Sequence, residues 1–101
     1  MTAALILEFE GITLTEYEAV NEKLGIDTAS GEGDWPDGLV THVAGLNDSG
    51  DLVVMEVWDS RDHQARFMEG RLAQALQEGG VTGGPARITW IDVAAHRVPG
   101  G

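Results

Sequence analysis

The sequence predicts one α+β domain whose elements follow the order β-α-β-β-α-β. Short apolar runs rich in strand-forming residues alternate with two amphipathic segments, and each of those segments is preceded by a helix-capping signal. Polar turn residues separate the second run from the third. At 101 residues the chain is long enough for one hydrophobic core, so we predict a single domain over 1–101.

The first strand and the first helix are predicted from local patterns. The run ALILEF, residues 4–9, is a strand, and Thr13 starts a helix because Glu16 stands three residues later in a capping box. Leu14, Tyr17, Val20, Asn21 and Leu24 fall on one face of that helix. Gly25 is then predicted to end the helix by adopting the left-handed backbone conformation.

The second half of the chain predicts a hairpin, a helix and a last strand. Residues 39–46 and 52–58 are strands joined by the turn NDSGD, Asp59 or Ser60 caps a helix over 61–78, and residues 86–97 form the fourth strand. This order is the ferredoxin-like split unit, in which a four-stranded antiparallel sheet carries two helices on one face.

A glycine interrupts the second helical segment. Ala65, Met68, Leu72, Ala75 and Leu76 share one stripe, whereas Phe67 lies off it. A break near Gly70 would let the first part of the helix aim Phe67 inward and the second part reset its register. We therefore predict a hinge between two short helices.

The segment between the first helix and the second strand, residues 26–38, is acidic, rich in glycine and without period. It predicts a loop, and loops of this length are often lids. Trp35 is its one large apolar side chain. Trp35 either closes over a pocket or packs against the first helix.

The predicted strands are apolar on both faces. Leu5 and Leu7 alternate with Ala4 and Ile6, and Leu52, Val54 and Trp58 alternate with Val53, Met55 and Val57. Two helices can cover only one face of a sheet, so the second face is predicted to pack on another copy of the chain. We expect a homodimer.

Composition excludes several classes of partner. Seventeen acidic residues against six Lys and Arg give a formal net charge of −11, which repels phosphate backbones and anionic lipids, so neither nucleic acid nor membrane is expected. The chain has no cysteine, which excludes disulfides and thiol nucleophiles. The N-terminal residues resemble neither a signal peptide nor a membrane span, so we expect a cytoplasmic protein.

A motif at the third strand carries a family resemblance. The strand ends in Glu56-Val57-Trp58-Asp59-Ser60 and runs into a helix with an aromatic residue and a break. In its element order and this motif the chain resembles the dimeric α/β-barrel proteins, and within them the antibiotic-biosynthesis-monooxygenase-like group. The resemblance implies a barrel closed by two sheets at the dimer, with a pocket between each sheet and its helices. Members of such families include cofactor-free oxygenases of aromatic polyketides, haem-degrading enzymes, lactone isomerases and proteins without known activity.

The sequence departs from the haem-degrading members. Phe67 and Gln77 stand where those members carry a Trp and a His. Neither residue can ligate haem iron, so no haem is expected. Three histidines on separate elements also lack the spacing of a metal site, so we predict neither metal nor cofactor.

Few side chains are candidates for chemistry. Asn21 lies one helical turn after Tyr17, and we consider it either a pocket donor or an edge residue bonded to water or backbone. His42 could serve as general base or be a satisfied strand histidine. We name Asn21 and His42 as candidate catalytic residues, and as candidate substrate-binding residues Tyr17, Trp35, Trp58, Phe67, Met68 and Trp90.

Two carboxylates lie on strands that this fold makes neighbours. Glu8 and Glu56 could face each other as a proton-transfer pair, or belong to an interfacial cluster satisfied by Arg87 or Arg97. The favoured interpretation at this point is the structural one.

Two functions stay open. The first is a cofactor-independent oxygenase or isomerase that acts on a small aromatic or polyketide-type ligand. The second is a non-catalytic dimeric binding or stress-type protein with the same pocket. An enzyme should have a buried polar group aimed into an open pocket, whereas a structural protein should fill that pocket with its own side chains.

Overall fold

The computed structural model describes residues 2–78 and 84–96. Within them the helices and strands follow the predicted order, with one short additional hairpin. They are β1 (Ala3–Phe9), α1 (Leu14–Leu24), β2 (Ile26–Asp27), β3 (Glu32–Gly33), β4 (Leu39–Leu46), β5 (Leu52–Trp58), α2 (Arg61–Phe67), a π-helical turn (Met68–Leu72), α3 (Ala73–Glu78) and β6 (Arg87–Asp92).

The four long strands form one antiparallel sheet in the order β4-β5-β1-β6. α1 and the α2-π-α3 segment lie on one face of this sheet. The predicted α+β, ferredoxin-like architecture is confirmed. The small pair β2-β3 lies in the segment that we predicted to be an irregular loop.

Helix α1 begins and ends as its sequence predicts. The Thr13 hydroxyl accepts the Glu16 amide at 3.1 Å, and the Glu16 carboxylate accepts the Thr13 amide at 3.2 Å, which completes the capping box. Gly25 adopts φ +80° at the other end. The helix buries Val20, Asn21 and Leu24.

The second helical segment starts at Ser60, whose hydroxyl accepts the His63 amide at 3.3 Å. Its helical path does not break at Gly70. Instead the turn from Met68 to Leu72 widens to π geometry and the chain returns to α geometry at Ala73. The predicted interruption is confirmed, but the hinge between two separate helices is wrong, because the extra residue of a π turn shifts the register without opening the helix.

The core lies between the helices and the sheet in two clusters. One joins the sheet residues Leu5, Leu7, Leu52 and Val54, and the other joins Val20, Leu24, Ile26 and Ala75 around α1 and α3. Phe67 and Trp35 pack against the second cluster. A cavity lies between the two clusters.

The face of the sheet away from the helices is open in the single chain. Val43, Met55 and Ile91 are each about half exposed there, at 56%, 49% and 47%. The predicted alternation of apolar residues on both faces is therefore confirmed for the described strands.

The last strand is shorter than predicted. It ends at Asp92, whereas the sequence indicated a strand over 86–97. Arg97 lies outside the described residues. No helix in the described ranges combines the length and the apolar character that crossing a bilayer requires.

Candidate functional site

A cavity of about 170 Å³ lies between the helices and the sheet, near the ends of β1 and α1. Its wall is mostly apolar. The polar and titratable side chains that line it are grouped, and within the described residues they are Glu16, Tyr17, Asn21, His42, Glu56 and Gln64. An apolar cavity with a few convergent polar groups is the usual form of a small-molecule site.

His42 reaches this cavity because β4 contains a bulge. The register pairs Leu39 with Trp58 and Thr41 with Val57, so one extra residue is inserted between Leu39 and Thr41. The insertion reverses the side-chain alternation that follows it and pairs His42 with Glu56 on the helix side of the sheet. Without this bulge, His42 would face away from the cavity.

Glu56 is the buried anchor of a polar chain. It is 9% exposed, and its two oxygens are used by different partners. Oε2 lies 3.0 Å from His42 Nδ1, and Oε1 accepts the indole N–H of Trp58 at 3.1 Å. A carboxylate oxygen accepts hydrogen bonds, so Nδ1, the ring nitrogen that faces Glu56, is the donor in this pair.

Tyr17 completes the chain from the helix side. Its hydroxyl oxygen lies 2.5 Å from His42 Nε2, and the two rings are nearly parallel with centroids 6.1 Å apart. Burial raises the pKa of Tyr17, and the charge of Glu56 adds to this, while the neighbouring Asn21 amide acts in the opposite direction. Tyr17 therefore stays a neutral phenol in the resting protein. In the tautomer of the neutral imidazole that carries its proton on Nδ1, the Tyr17 hydroxyl donates a hydrogen bond to Nε2.

Asn21 lies one turn after Tyr17 and also lines the cavity. The residue is 6% exposed. Its amide lies close enough to the Tyr17 hydroxyl to lower the pKa of Tyr17, but Nδ2 makes no hydrogen bond of ordinary geometry within the described residues. Helix α1 buries this face against the core, so Asn21 does not lie at an exposed edge of the helix. An unpaired buried N–H donor costs free energy.

Trp35, in the segment between α1 and β4, lines the cavity and also packs against the cluster around α1. Its indole lines the wall with a centroid 5.2 Å from that of His42, and its N–H donates to the Gly31 carbonyl at 2.9 Å. Arg71, from the π turn, holds this segment through the Asp34 carbonyl at 2.6 Å and the Asp34 carboxylate at 3.2 Å. The same guanidinium donates to the Leu24 carbonyl at 3.0 Å.

The remaining predicted binding residues divide into two groups. Phe67 and Met68 line the cavity. Trp58 and Trp90 do not line it, so their prediction as pocket residues is corrected. Trp58 is 0% exposed because α2 begins soon after β5 and covers it, and its ring packs against Phe67. Trp90 pairs with Leu5 on edge strand β6 and lies under the Arg61 guanidinium at 4.7 Å.

Glu8 and Glu56 do not form a pair. Glu8 stands opposite Val53 and Glu56 opposite Leu5, so the two carboxylates project from opposite faces of the sheet. Glu8 has the Arg87 guanidinium at 3.6 Å instead.

The other histidines lie apart from the cavity. The rings of His63 and His96 neighbour the hydroxyls of Ser60, at 3.1 Å, and Thr41, at 3.3 Å. Over residues 2–78 and 84–96 no three His, Asp or Glu side chains are grouped to hold a metal ion.

Comparison with known proteins relates this architecture to solved structures. No family model and no curated protein matches the sequence. Rv0793 of Mycobacterium tuberculosis superposes with a TM-score of 0.64 at 14% identity, over 97% of this chain and 100% of that one. A candidate antibiotic biosynthesis monooxygenase of Chloroflexus aurantiacus gives 0.62 at 15% identity, over 96% and 98%.

The chain has the fold of antibiotic-biosynthesis-monooxygenase-like proteins. A monooxygenase of Streptomyces coelicolor, solved in complex with nanaomycin D, shares this fold with a TM-score of 0.54 at 14% identity, over 97% of this chain and 90% of that one. The predicted resemblance is confirmed at the level of the fold.

Sequence reasoning missed the chain of contacts from Trp58 through Glu56 and His42 to Tyr17. One available signal was the Glu-x-Trp spacing, which puts two side chains on the same face of a strand. The bulge that turns His42 toward Glu56 has no comparable signal, since LVTHV contains neither Gly nor Pro.

Proposed function

We propose that the protein is a cofactor-independent, monooxygenase-like enzyme that removes a proton from a small aromatic or polyketide-type substrate. The observation that carries this proposal is that Asn21, whose Nδ2 is buried without a hydrogen-bond partner among the described residues, lines the same apolar cavity as His42. A buried donor without a partner favours a ligand that brings an acceptor oxygen.

The size of the cavity limits the substrate. Its volume of about 170 Å³ is close to the roughly 150 Å³ of an engineered cavity that binds benzene. One aromatic ring therefore fits inside. A larger ligand would extend into the adjoining groove, which shares Trp35, Pro36 and Phe67 with the cavity.

The polar groups suit the removal of a proton next to a carbonyl or phenol. The imidazole of His42 takes up the proton, and the Asn21 amide donates to the enolate oxygen that remains. The substrate anion then reduces O₂ itself. For an activated CH₂ group the sum is R₂CH₂ + O₂ → R₂C=O + H₂O, which requires no electrons from the protein.

The proposal includes a homodimer. The open sheet face carries the half-exposed side chains of Val43, Met55 and Ile91, and a second copy is the occupant that matches this apolar surface. In this arrangement two sheets face each other and each cavity lies on the outer, helix-covered side of its own sheet.

Anthrone has three rings, so part of the molecule would lie in the adjoining groove. It is a suitable test compound because its CH₂ group is acidified by a ring carbonyl. We expect saturable O₂ uptake with anthraquinone as product, and in Asn21→Leu a loss of turnover of about 10²- to 10³-fold, the range seen for removal of one oxyanion donor. Anthrone that binds without turnover would favour the non-catalytic binding protein. Absence of both binding and turnover, with anthrone and with smaller phenols, would contradict the proposal.

A further inference from the structure

Both ring nitrogens of His42 are occupied. Nδ1 faces Glu56 at 3.0 Å, and Nε2 faces the Tyr17 hydroxyl at 2.5 Å. A general base must come within hydrogen-bond reach of the proton that it removes. The Tyr17 hydroxyl therefore lies between a substrate in the cavity and the lone pair of His42 Nε2.

We propose that Tyr17 is the catalytic residue that exchanges the proton with the substrate, and that His42 accepts the Tyr17 proton under the control of Glu56 and Trp58. This inference rests on the proposed function and changes the role of His42 from direct base to second member of a relay. Tyr17 and Asn21 line the cavity one helical turn apart, so the group that takes the proton and the group that binds the resulting oxyanion come from the same helix.

The proton balance of the relay is complete. The substrate proton passes to the Tyr17 oxygen while the Tyr17 proton passes to His42 Nε2. The products are a substrate anion and an imidazolium, which lies against the Glu56 carboxylate. When a product anion is reprotonated, His42 returns a proton to the Tyr17 oxygen while the Tyr17 proton passes to the product.

Tyr17 cannot act as a base alone. Burial and the Glu56 charge raise the pKa of Tyr17, so the phenol carries its proton in the resting protein. It can accept a proton only as it releases its own, and His42 Nε2 is the acceptor in contact with it. The relay therefore requires an unprotonated Nε2 in the resting state.

Glu56 and Trp58 are positioning residues that keep the proton of the His42 imidazole on Nδ1 and leave Nε2 unprotonated. The indole N–H of Trp58 can only donate, so it occupies one carboxylate oxygen, and the other oxygen accepts from His42 Nδ1. In Glu56→Gln the amide must present its carbonyl oxygen to Trp58 and its NH₂ to His42. An NH₂ group donates to Nδ1, which moves the imidazole proton to Nε2 and blocks transfer from Tyr17.

The decisive experiment reads the tautomer of His42 by nitrogen-15 NMR in ligand-free protein, with the His42 signals assigned from their loss in His42→Phe. We expect an Nδ1–H imidazole in the wild type and an Nε2–H imidazole in Glu56→Gln. Glu8→Gln is the matched control, since Glu8 lies on the neighbouring strand but on the opposite face, and it should keep the wild-type tautomer. An unchanged tautomer in Glu56→Gln would overturn the positioning role.

Turnover and binding of anthrone then test the relay itself. Tyr17→Phe and Glu56→Gln should each lower turnover by about 10²- to 10⁴-fold, the usual contribution of acid–base catalysis, with the dissociation constant for anthrone changed less than about threefold. Turnover of Tyr17→Phe near that of the wild type would assign the direct base to His42 and overturn the relay while keeping the proposed function. Absence of turnover in the wild type would instead contradict the proposed function, whatever the tautomer.

Discussion

Trp58 donates its indole N–H to Glu56, two residues earlier on the same strand, at 3.1 Å. Trp58 is 0% exposed and Glu56 is 9% exposed, so the bond joins a buried donor to a buried carboxylate. A carboxylate in this position needs its partners, because water cannot replace them. The bond therefore matters both for stability and for the orientation of Glu56 toward His42.

We expect Trp58→Phe to lower the free energy of unfolding by at least about 1.5–3 kcal/mol, the range for a hydrogen bond to a charged group. Loss of ring volume adds to this cost. Trp90→Phe is the control, because Trp90 is only partly buried and its contact with Arg61 contributes about 0.5–1 kcal/mol at an exposed site. Urea unfolding at one protein concentration measures both. Equal losses in the two variants would show that the bond to Glu56 adds nothing.

The sequence predicts the parts of this site that depend on local signals. Thr13 and Glu16 fix the start of α1, and Gly25 fixes its end, so the face that carries Tyr17 and Asn21 could be predicted. The alternation of β5 likewise places Trp58 on the helix side. These features depend on neighbours only a few residues apart.

Other parts depend on contacts between distant segments. The pairing of His42 with Glu56 requires the bulge in β4, which two strands produce together. Trp58 and Trp90 were predicted as substrate-binding residues, but whether an aromatic residue lines a cavity depends on where α2 crosses the sheet. The burial of Asn21 Nδ2 follows from the same packing.

The titration of Tyr17 can be measured directly because it is the only tyrosine in the chain. Burial and the Glu56 charge raise its pKa above the ordinary value of about 10. We expect the tyrosinate absorbance near 295 nm to appear at higher pH in the folded protein than in urea. A midpoint equal to that of the unfolded chain would contradict the buried position of the phenol.

The same shift gives a direction for stability. The folded protein holds the Tyr17 proton more tightly than the unfolded chain. The part of the unfolding free energy that is linked to this proton is fully present below about pH 10 and is lost as pH rises through the folded pKa. Tyr17→Phe should lack this component. The difference in unfolding free energy between wild type and Tyr17→Phe should therefore shift in favour of the variant at alkaline pH.

The homodimer can be tested at the open sheet face. We expect sedimentation equilibrium to give twice the chain mass of 10.8 kDa at micromolar concentration, and Met55→Lys to shift the protein toward monomer because it places a charge in an apolar interface. Leu14→Lys is the control, since Leu14 is 41% exposed on α1 and Met55 is 49% exposed on the sheet. A folded wild-type monomer would exclude the dimer.

Gly70 and Gly38 should respond oppositely to alanine. Gly70 lies in the π turn without a positive φ, and an added Cβ would meet no atom within 4 Å. Gly70→Ala is therefore expected to be neutral or stabilising by up to about 1 kcal/mol through helix propensity. Gly38 has φ +85°, and its Cβ would overlap the His63 ring, so Gly38→Ala should destabilise the fold. Thermal unfolding of both variants compares them, and a marked loss in Gly70→Ala would indicate that the π turn requires glycine.

We expect Asn21 to lower the stability of the ligand-free protein, because its amide is placed for ligand binding and not for packing. Its Nδ2 atom is buried without a partner in the described part of the chain, and the residue is 6% exposed. Asn21→Leu has nearly the same shape and removes the unpaired donor, so we expect the ligand-free protein to gain about 1–3 kcal/mol in unfolding free energy. Asn21→Asp keeps the shape but adds a buried carboxylate to the cavity wall that also carries Glu56. It should therefore destabilise the protein at neutral pH and recover toward acidic pH, where the new carboxyl is protonated. Urea unfolding of the three proteins without ligand separates these effects. If Asn21→Leu is destabilised instead, the amide has a structural partner in solution, and the acceptor oxygen assigned to the ligand would lose its support.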